Sequence, residues 1–225
     1  MTRKILLICG VLSSVLYVGA DIVAAMRYEG YSYTAQAVSE LSAIGAPTRS
    51  LLVPVYVAYD LLLIAFGYGL WTSARQNRAL RASAGLLAGI GAVGLAAMRF
   101  PMNLRGTEMT LTDTMHIIVT GMTVLLILLA IGFGAGAFGR RFRVYSIATL
   151  ATVLVFGALT ALEAPRIAAG LPTPWLGVTE RINIGAYLLW MAVLAVMVLR
   201  ARNAAAPDRL RGKRDAGLTA ARPAA

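Results

Sequence analysis

The chain has 225 residues, of which 59% are hydrophobic and 14% charged, with a formal net charge of +11. Soluble domains carry roughly a quarter charged residues, so this composition excludes an ordinary soluble domain and points to a chain embedded in a membrane. The single cysteine, Cys9, excludes an intrachain disulfide and a cysteine zinc cluster.

A helical crossing of a bilayer needs roughly 20 apolar residues. After Thr2-Arg3-Lys4, the first such run covers 5–26. The same start, with VGA at 18–20, also has the form of a cleaved signal peptide. Basic loops that keep alternating along the chain favour a retained span. A polar stretch, 31–47, follows, and then runs at 52–71 and 82–100. Three more runs cover 114–138, 144–164 and 181–199. None alternates as the strands of a membrane barrel would. The tail from residue 201, rich in Ala, Arg and Pro, reads as a disordered basic extension. The expected fold is all-α: a polytopic membrane protein with six transmembrane helices over 1–200, a short interfacial helix in the first outer loop, and a tail over 201–225. Gly85-Leu-Leu-Ala-Gly89 and Gly132-Phe-Gly-Ala-Gly136 have the small-residue spacing that lets helices approach closely.

Charge orients the bundle. Fifteen of the 21 Lys and Arg lie at the N-terminus, in the second and fourth connections and in the tail. The basic side stays cytoplasmic, which places both termini there. Eight of the ten acids lie in the other half. The basic excess is therefore a matter of topology and of attraction to anionic lipid, and no aromatic-interleaved basic surface argues for nucleic acid. Arg outnumbering Lys, with much Ala and Gly, points to a GC-rich bacterial genome and so to a plasma membrane.

Several outer acids lie within spans. Asp60, roughly 12 Å down the second helix from Leu52, costs at least about 2.5–3.5 kcal/mol if left facing lipid. Ser13, Tyr17 and Asp21 share one helix face, as do Asp113, His116, Thr120 and Thr123, and Glu180, Asn183 and Tyr187. Thr160 and Glu163 close the fifth run, and Arg99, Arg166 and Arg181 stand near as counter-ions. The common explanation is a polar cavity open to the outer side. The competing explanation is that Asp21, Glu163 and Glu180 are solvated at the interface and that His116 is a hydrogen-bonded packing residue. Both stay open on sequence alone.

The stretch YSYTAQAVSELSAIGAP, 31–47, places Gln36, Ser39 and Glu40 on one side of a helix and Val38, Leu41 and Ile44 on the other, with Gly45 and Pro47 as stop signals. A lid over the cavity is the expectation, with Glu40 leading its polar face. Together with FPMN at 100–103, His116 and GVTERIN at 177–183, this stretch resembles the family catalogued as domain of unknown function 998, prokaryotic multi-pass membrane proteins. The resemblance covers the chain to about Arg200. That family often has an acid just after the FP pair, where this chain has Asn103. More loosely, SELSAIGAP is similar to the first outer-loop signature of Frag1/DRAM/Sfk1 membrane proteins, which implies lipid handling.

Three functions follow as expectations. The first is handling of a membrane lipid or small amphiphile, with Asp21, Glu40, Asp60, Arg99, His116, Glu163, Arg166, Glu180 and Arg181 as ligand-binding candidates and the arginines pairing with phosphate. An enzymatic form would use His116 as base, oriented by Asp113 or Glu40, with Ser39, Ser42 or water as nucleophile. The second is a proton-coupled transporter that titrates Asp60. The third is an accessory subunit that docks an unidentified membrane protein partner. One histidine cannot build a histidine-rich metal site, so no metal or cofactor is expected.

Overall fold

The structure is a computed structural model that describes residues 2–220, with side chains described to Ala201 except that of Ala168. Of the disordered tail expected from residue 201, the backbone is described to Ala220, where it continues the last helix, and 221–225 lie outside the described residues. Six helices are long and apolar enough to cross a membrane. They are α1 (Thr2–Arg27), α2 (Arg49–Ser73), α3 (Arg78–Ala97), α4 (Leu111–Gly134), α5 (Arg140–Leu162) and α7 (Leu176–Ala220), with a short α6 (Ala164–Ala168) prolonging α5. They correspond one for one to the six apolar runs.

Neighbours in the chain are neighbours in space, and α7 returns to lie against both α5 and α1, so the six long helices form a closed ring. Short links at 74–77 and 135–139 join the helices at one end. The longer segments 28–48, 98–110 and 163–175 cover the other end, which we call the capped end.

The half of the ring away from the cap is filled by Phe66, Leu63, Leu70, Leu87, Ile131, Trp190, Met191 and Leu194, all fully buried. Three of the helix pairs around the ring also carry polar ties. Ser83 donates to the Ala130 carbonyl at 2.9 Å, Trp190 Nε1 to Ser146 Oγ at 2.9 Å, Asn183 to the Val153 carbonyl at 2.6 Å and Ser14 to the Leu188 carbonyl at 3.0 Å. A polar group in hydrocarbon has no water to bond, so such ties fix rotation and register.

The close approaches differ from those expected. A Cβ at Gly89 or Gly132 would meet nothing within 4 Å, and one at Gly85 or Gly136 would make only ordinary contact. Among the glycines that do admit a neighbour are Gly67 against Ala84 and Ala88, Gly91 against Ile64, and Gly134 against the Trp190 indole. Spacing of small residues finds a helix face, but it does not say which face meets protein and which meets lipid.

The interfacial helix expected over 31–47 is not present as such. The segment contains one 3-10 turn, Val38–Ser42, and otherwise runs as turns and extended chain, ending at Gly45 with φ +89°. Helical geometry would have bonded its backbone internally. Here other elements take those groups: Tyr31 donates to the carbonyls of Gln36 and Ala37, Thr48 to that of Leu41 and Arg49 to that of Ser42. The Ile44 amide donates to Met102 at 2.8 Å and forms an isolated bridge with Asn103.

The ring core yields a paired prediction. Gly134→Val overpacks the Trp190 site and should cost about 1–3 kcal/mol, whereas Gly132→Val, which faces open space, should leave stability within about 0.5 kcal/mol. Reversible unfolding in mixed micelles separates the two.

Candidate functional site

Glu40 is 1% exposed and sits inside the cap. Its Oε1 accepts from the Ala37 amide at 2.9 Å and from Arg105 at 2.8 Å, and its Oε2 accepts from Gln36 at 3.0 Å. The 3-10 turn keeps the side chain of residue 40 within reach of the amide of residue 37, as in a capping box. Arg105, from the α3–α4 segment, also donates to Thr173 Oγ1 at 2.8 Å, and Thr173 donates to the Ala35 carbonyl at 2.9 Å. Glu40 thus joins all three covering segments.

The second cluster ties α1 to α7. Arg181 grips Asp21 with two parallel bonds, Nε to Oδ2 at 3.0 Å and a terminal nitrogen to Oδ1 at 2.9 Å. Its remaining donors go to the hydroxyl of Tyr31 and to the carbonyls of Tyr33 and Gly177. The Tyr33 hydroxyl donates to Asp21 at 2.7 Å, and the Tyr33 ring lies 3.6 Å under the guanidinium carbon. Burial pushes the Tyr31 hydroxyl up to about 12, with Arg181 pulling the other way, so it remains a neutral donor at ordinary pH. Burial and the Asp21 bond push Tyr33 up as well. Beside this cluster Glu180 accepts from the Val38 amide at 2.6 Å, a bond from the helix to the loop backbone.

The third cluster forms around 100–103. Asp113 accepts from the Asn103 amide and side chain, both at 2.7 Å, and from the Thr110 amide and hydroxyl at 2.9 and 2.7 Å. This closes the N-terminus of α4 with a capping box. His116, one turn further along, has Nδ1 3.0 Å from the Phe100 carbonyl. Neither His116 nor Asp113 bonds Glu40, and Ser39 contributes only its backbone carbonyl, which accepts from Ser42.

The remaining candidates separate from these clusters. Glu163 and Arg166 pair with each other at 3.3 Å, with Arg166 also donating to the Pro172 carbonyl. Arg99 is exposed and enters none of the ion pairs found among the described residues. Asp60 is 4% exposed, deep on the α2–α3 contact and away from the cap. Of the arginines expected to face a phosphate, Arg181 and Arg166 are therefore committed to carboxylates, and Arg99 stands apart.

Sequence reasoning missed Arg105 and Thr173. They lie 65 and 133 positions from Glu40, and no spacing rule links them. It also missed a groove on the flank of the ring. Ser14, Val15, Val18, Gly19 and Ile22 of α1 face Gly185, Leu188, Leu189 and Ala192 of α7 across a volume of about 450 Å³. A Cβ on Gly19 or on Gly185 would meet nothing within 4 Å, so backbone forms the floor. The Asp21–Arg181 pair closes the groove above, and the Ser14–Leu188 bond closes it below. The sequence signal was available: two unpartnered glycines on helices that must meet for the ring to close.

The model of the family described as "Protein of unknown function (DUF998)" matches residues 11–197. No curated protein and no solved structure matches the chain.

The two roles of the outer charges predict different mutational costs. Glu40→Ala strands Arg105, whose side chain is 22% exposed, and should cost about 3 kcal/mol, the lower end for breaking a buried pair. Arg99→Ala should stay within about 0.5 kcal/mol. Unfolding in mixed micelles measures both, and equal losses would contradict the assignment of Glu40 as the cap's internal joint.

Proposed function

The chain belongs to the DUF998 family, and for this member we propose that it binds a membrane lipid or small amphiphile along the α1–α7 flank. The observation that carries this reading is the groove of about 450 Å³ between those helices. That volume falls within the roughly 300–1,000 Å³ typical of small-molecule sites. Its lining is almost wholly apolar, with Val15, Val18, Ile22 and Leu189 exposed at its rim. In a bilayer such a slot takes an acyl chain. The head group then lies beside Tyr33, which is 43% exposed, and at the edge of the Arg181 guanidinium. Because Asp21 already neutralises Arg181, recognition there rests on hydrogen bonding and on the Tyr33 ring more than on net charge.

This moves the ligand from a cavity beneath the cap to the side of the ring. Glu40, Asp113 and His116 become holders of the cap, which frames the upper end of the groove. The likeness of SELSAIGAP to the Frag1/DRAM/Sfk1 signature supports lipid handling as the class of function. We place both termini in the cytoplasm and the groove's upper end at the outer surface of a bacterial plasma membrane, on the strength of the basic loops. A second reading, proton-coupled transport, draws support from the buried Asp60.

Native mass spectrometry of protein purified in mild detergent tests the groove. Wild type should retain phospholipid, and Gly19→Leu combined with Gly185→Leu should lose most of it while the protein remains folded. A bare wild-type protein, or retention unchanged in the double variant, would overturn the reading.

A further inference from the structure

Asp60 takes no part in the cap or in the groove, and its surroundings differ from those of the other acids whose side chains are described. It lies eleven positions from the start of α2, about 16 Å along the helix axis, close to the middle of the span. It is 4% exposed. Its carboxyl rests against the backbone of Gly94 on α3, where any Cβ would overlap it, and Gly91 one turn earlier admits the Asp60 backbone carbonyl. Two glycines in one α3 face therefore make a socket shaped around this residue.

What the socket lacks is a cation. The ion pairs among the described residues are Arg105–Glu40, Arg166–Glu163 and Arg181–Asp21, all at the capped end. On α3 the ionisable side chains are Arg78 and Arg81, at the far end of the helix. Arg99, five positions beyond Gly94, is rotated by roughly 140° from it at 3.6 residues per turn, and it is exposed. The titratable groups facing Asp60 are phenols: Tyr59 from α2 itself and Tyr187 from α7, with Tyr17 of α1 packed on Tyr59 at 5.2 Å between ring centroids. Tyr187 directs its hydroxyl to the Met191 sulfur at 3.8 Å. An ionised carboxylate in such a place would cost several kcal/mol, and a neutral acid far less.

We propose that the glycine socket at the α2–α3 contact is a proton-binding site, in which Asp60 is held as a neutral carboxylic acid at physiological pH. Unlike the lipid reading, this rests on nothing in the groove and survives its failure. The proton makes the side chain a hydrogen-bond donor at mid-membrane depth and leaves no charge facing the two phenols. It also gives the bundle one acid whose ionisation would require water or a cation to enter the ring.

Infrared spectroscopy of the purified protein in lipid tests this directly. At neutral pH wild type should show the carbonyl stretch of a protonated carboxyl. Asp60→Asn should abolish it, and Glu180→Gln should leave it in place. Absence of the band in wild type overturns the proposal without any variant, as does a band that survives Asp60→Asn. Should Asp60→Asn fail to fold, dicyclohexylcarbodiimide assigns the band in the wild-type protein. The acid's proton passes to a carbodiimide nitrogen, its oxygen bonds the central carbon, and the adduct rearranges to an N-acylurea, so the whole reagent is added and nothing leaves. Mass mapping should place that adduct on Asp60; an adduct on Glu180 alone, or none, overturns the proposal.

Discussion

A carboxylate withdrawn from water must be bonded on both oxygens or it destabilises whatever holds it. Glu40 meets that requirement with one amide, one glutamine and one arginine. Because those donors come from its own turn and from the α3–α4 segment, satisfying the charge and closing the cap are a single event. The rest of the capped end follows from it. Once Arg105 is drawn to Glu40, it can reach Thr173 and bring in the segment before α7. With the loop held over the ring, the Val38 amide meets Glu180 and the Ile44 amide meets Met102.

The protein is layered by depth as a result. Ion pairs and backbone bonds occupy the capped end. Beneath them lies a band of tyrosines, Tyr17, Tyr56 and Tyr59, packed ring against ring. Below that, the buried core is mainly apolar. Among the residues whose side chains are described, the gradient leaves no carboxylate in the lower half of the spans, where the basic loops lie close by. Of the outer acids, Asp21, Glu40 and Glu163 are paired with arginines, and Asp113 and Glu180 accept hydrogen bonds at the capped end.

The six spans were legible because length and apolar composition alone decide them, and the first five helices differ from their apolar runs by a few residues at each end, while the last runs on past its apolar stretch. The form of the outer loop was not. Val38 and Leu41, three apart, suit an α-helix and a 3-10 turn equally, and the choice was made by donors from Thr48, Arg49 and Tyr31 that compete for the same carbonyls. The burial of Asp60 could be read from its position, but the partners of Glu40 could not, since a salt bridge across 65 positions leaves no periodic trace. The short sequence pieces SEL, FPMN and TERIN looked unrelated along the chain. In space the residues flanking SEL tie it to the other two, Val38 to Glu180 and Ile44 to Met102.

The seam between α1 and α7 is the place where the ring closes on itself, joining its first helix to its last. No short link holds these two together, so side chains must do it, and they do so at two heights: Asp21 with Arg181, and Ser14 with the Leu188 carbonyl. Between those ties lie Gly19 and Gly185, residues that would let two helices come close enough to touch. Elsewhere in the ring glycine is used that way, with Gly134 taking the Trp190 indole and Gly67 the flank of α3. At this seam neither glycine meets a neighbour, and the groove lies along the contact of the two helices. Rigid ties above and below an unfilled, backbone-floored slot are what a site needs if its occupant comes from the bilayer, because the slot then exists before the ligand arrives and little ordering remains to oppose binding.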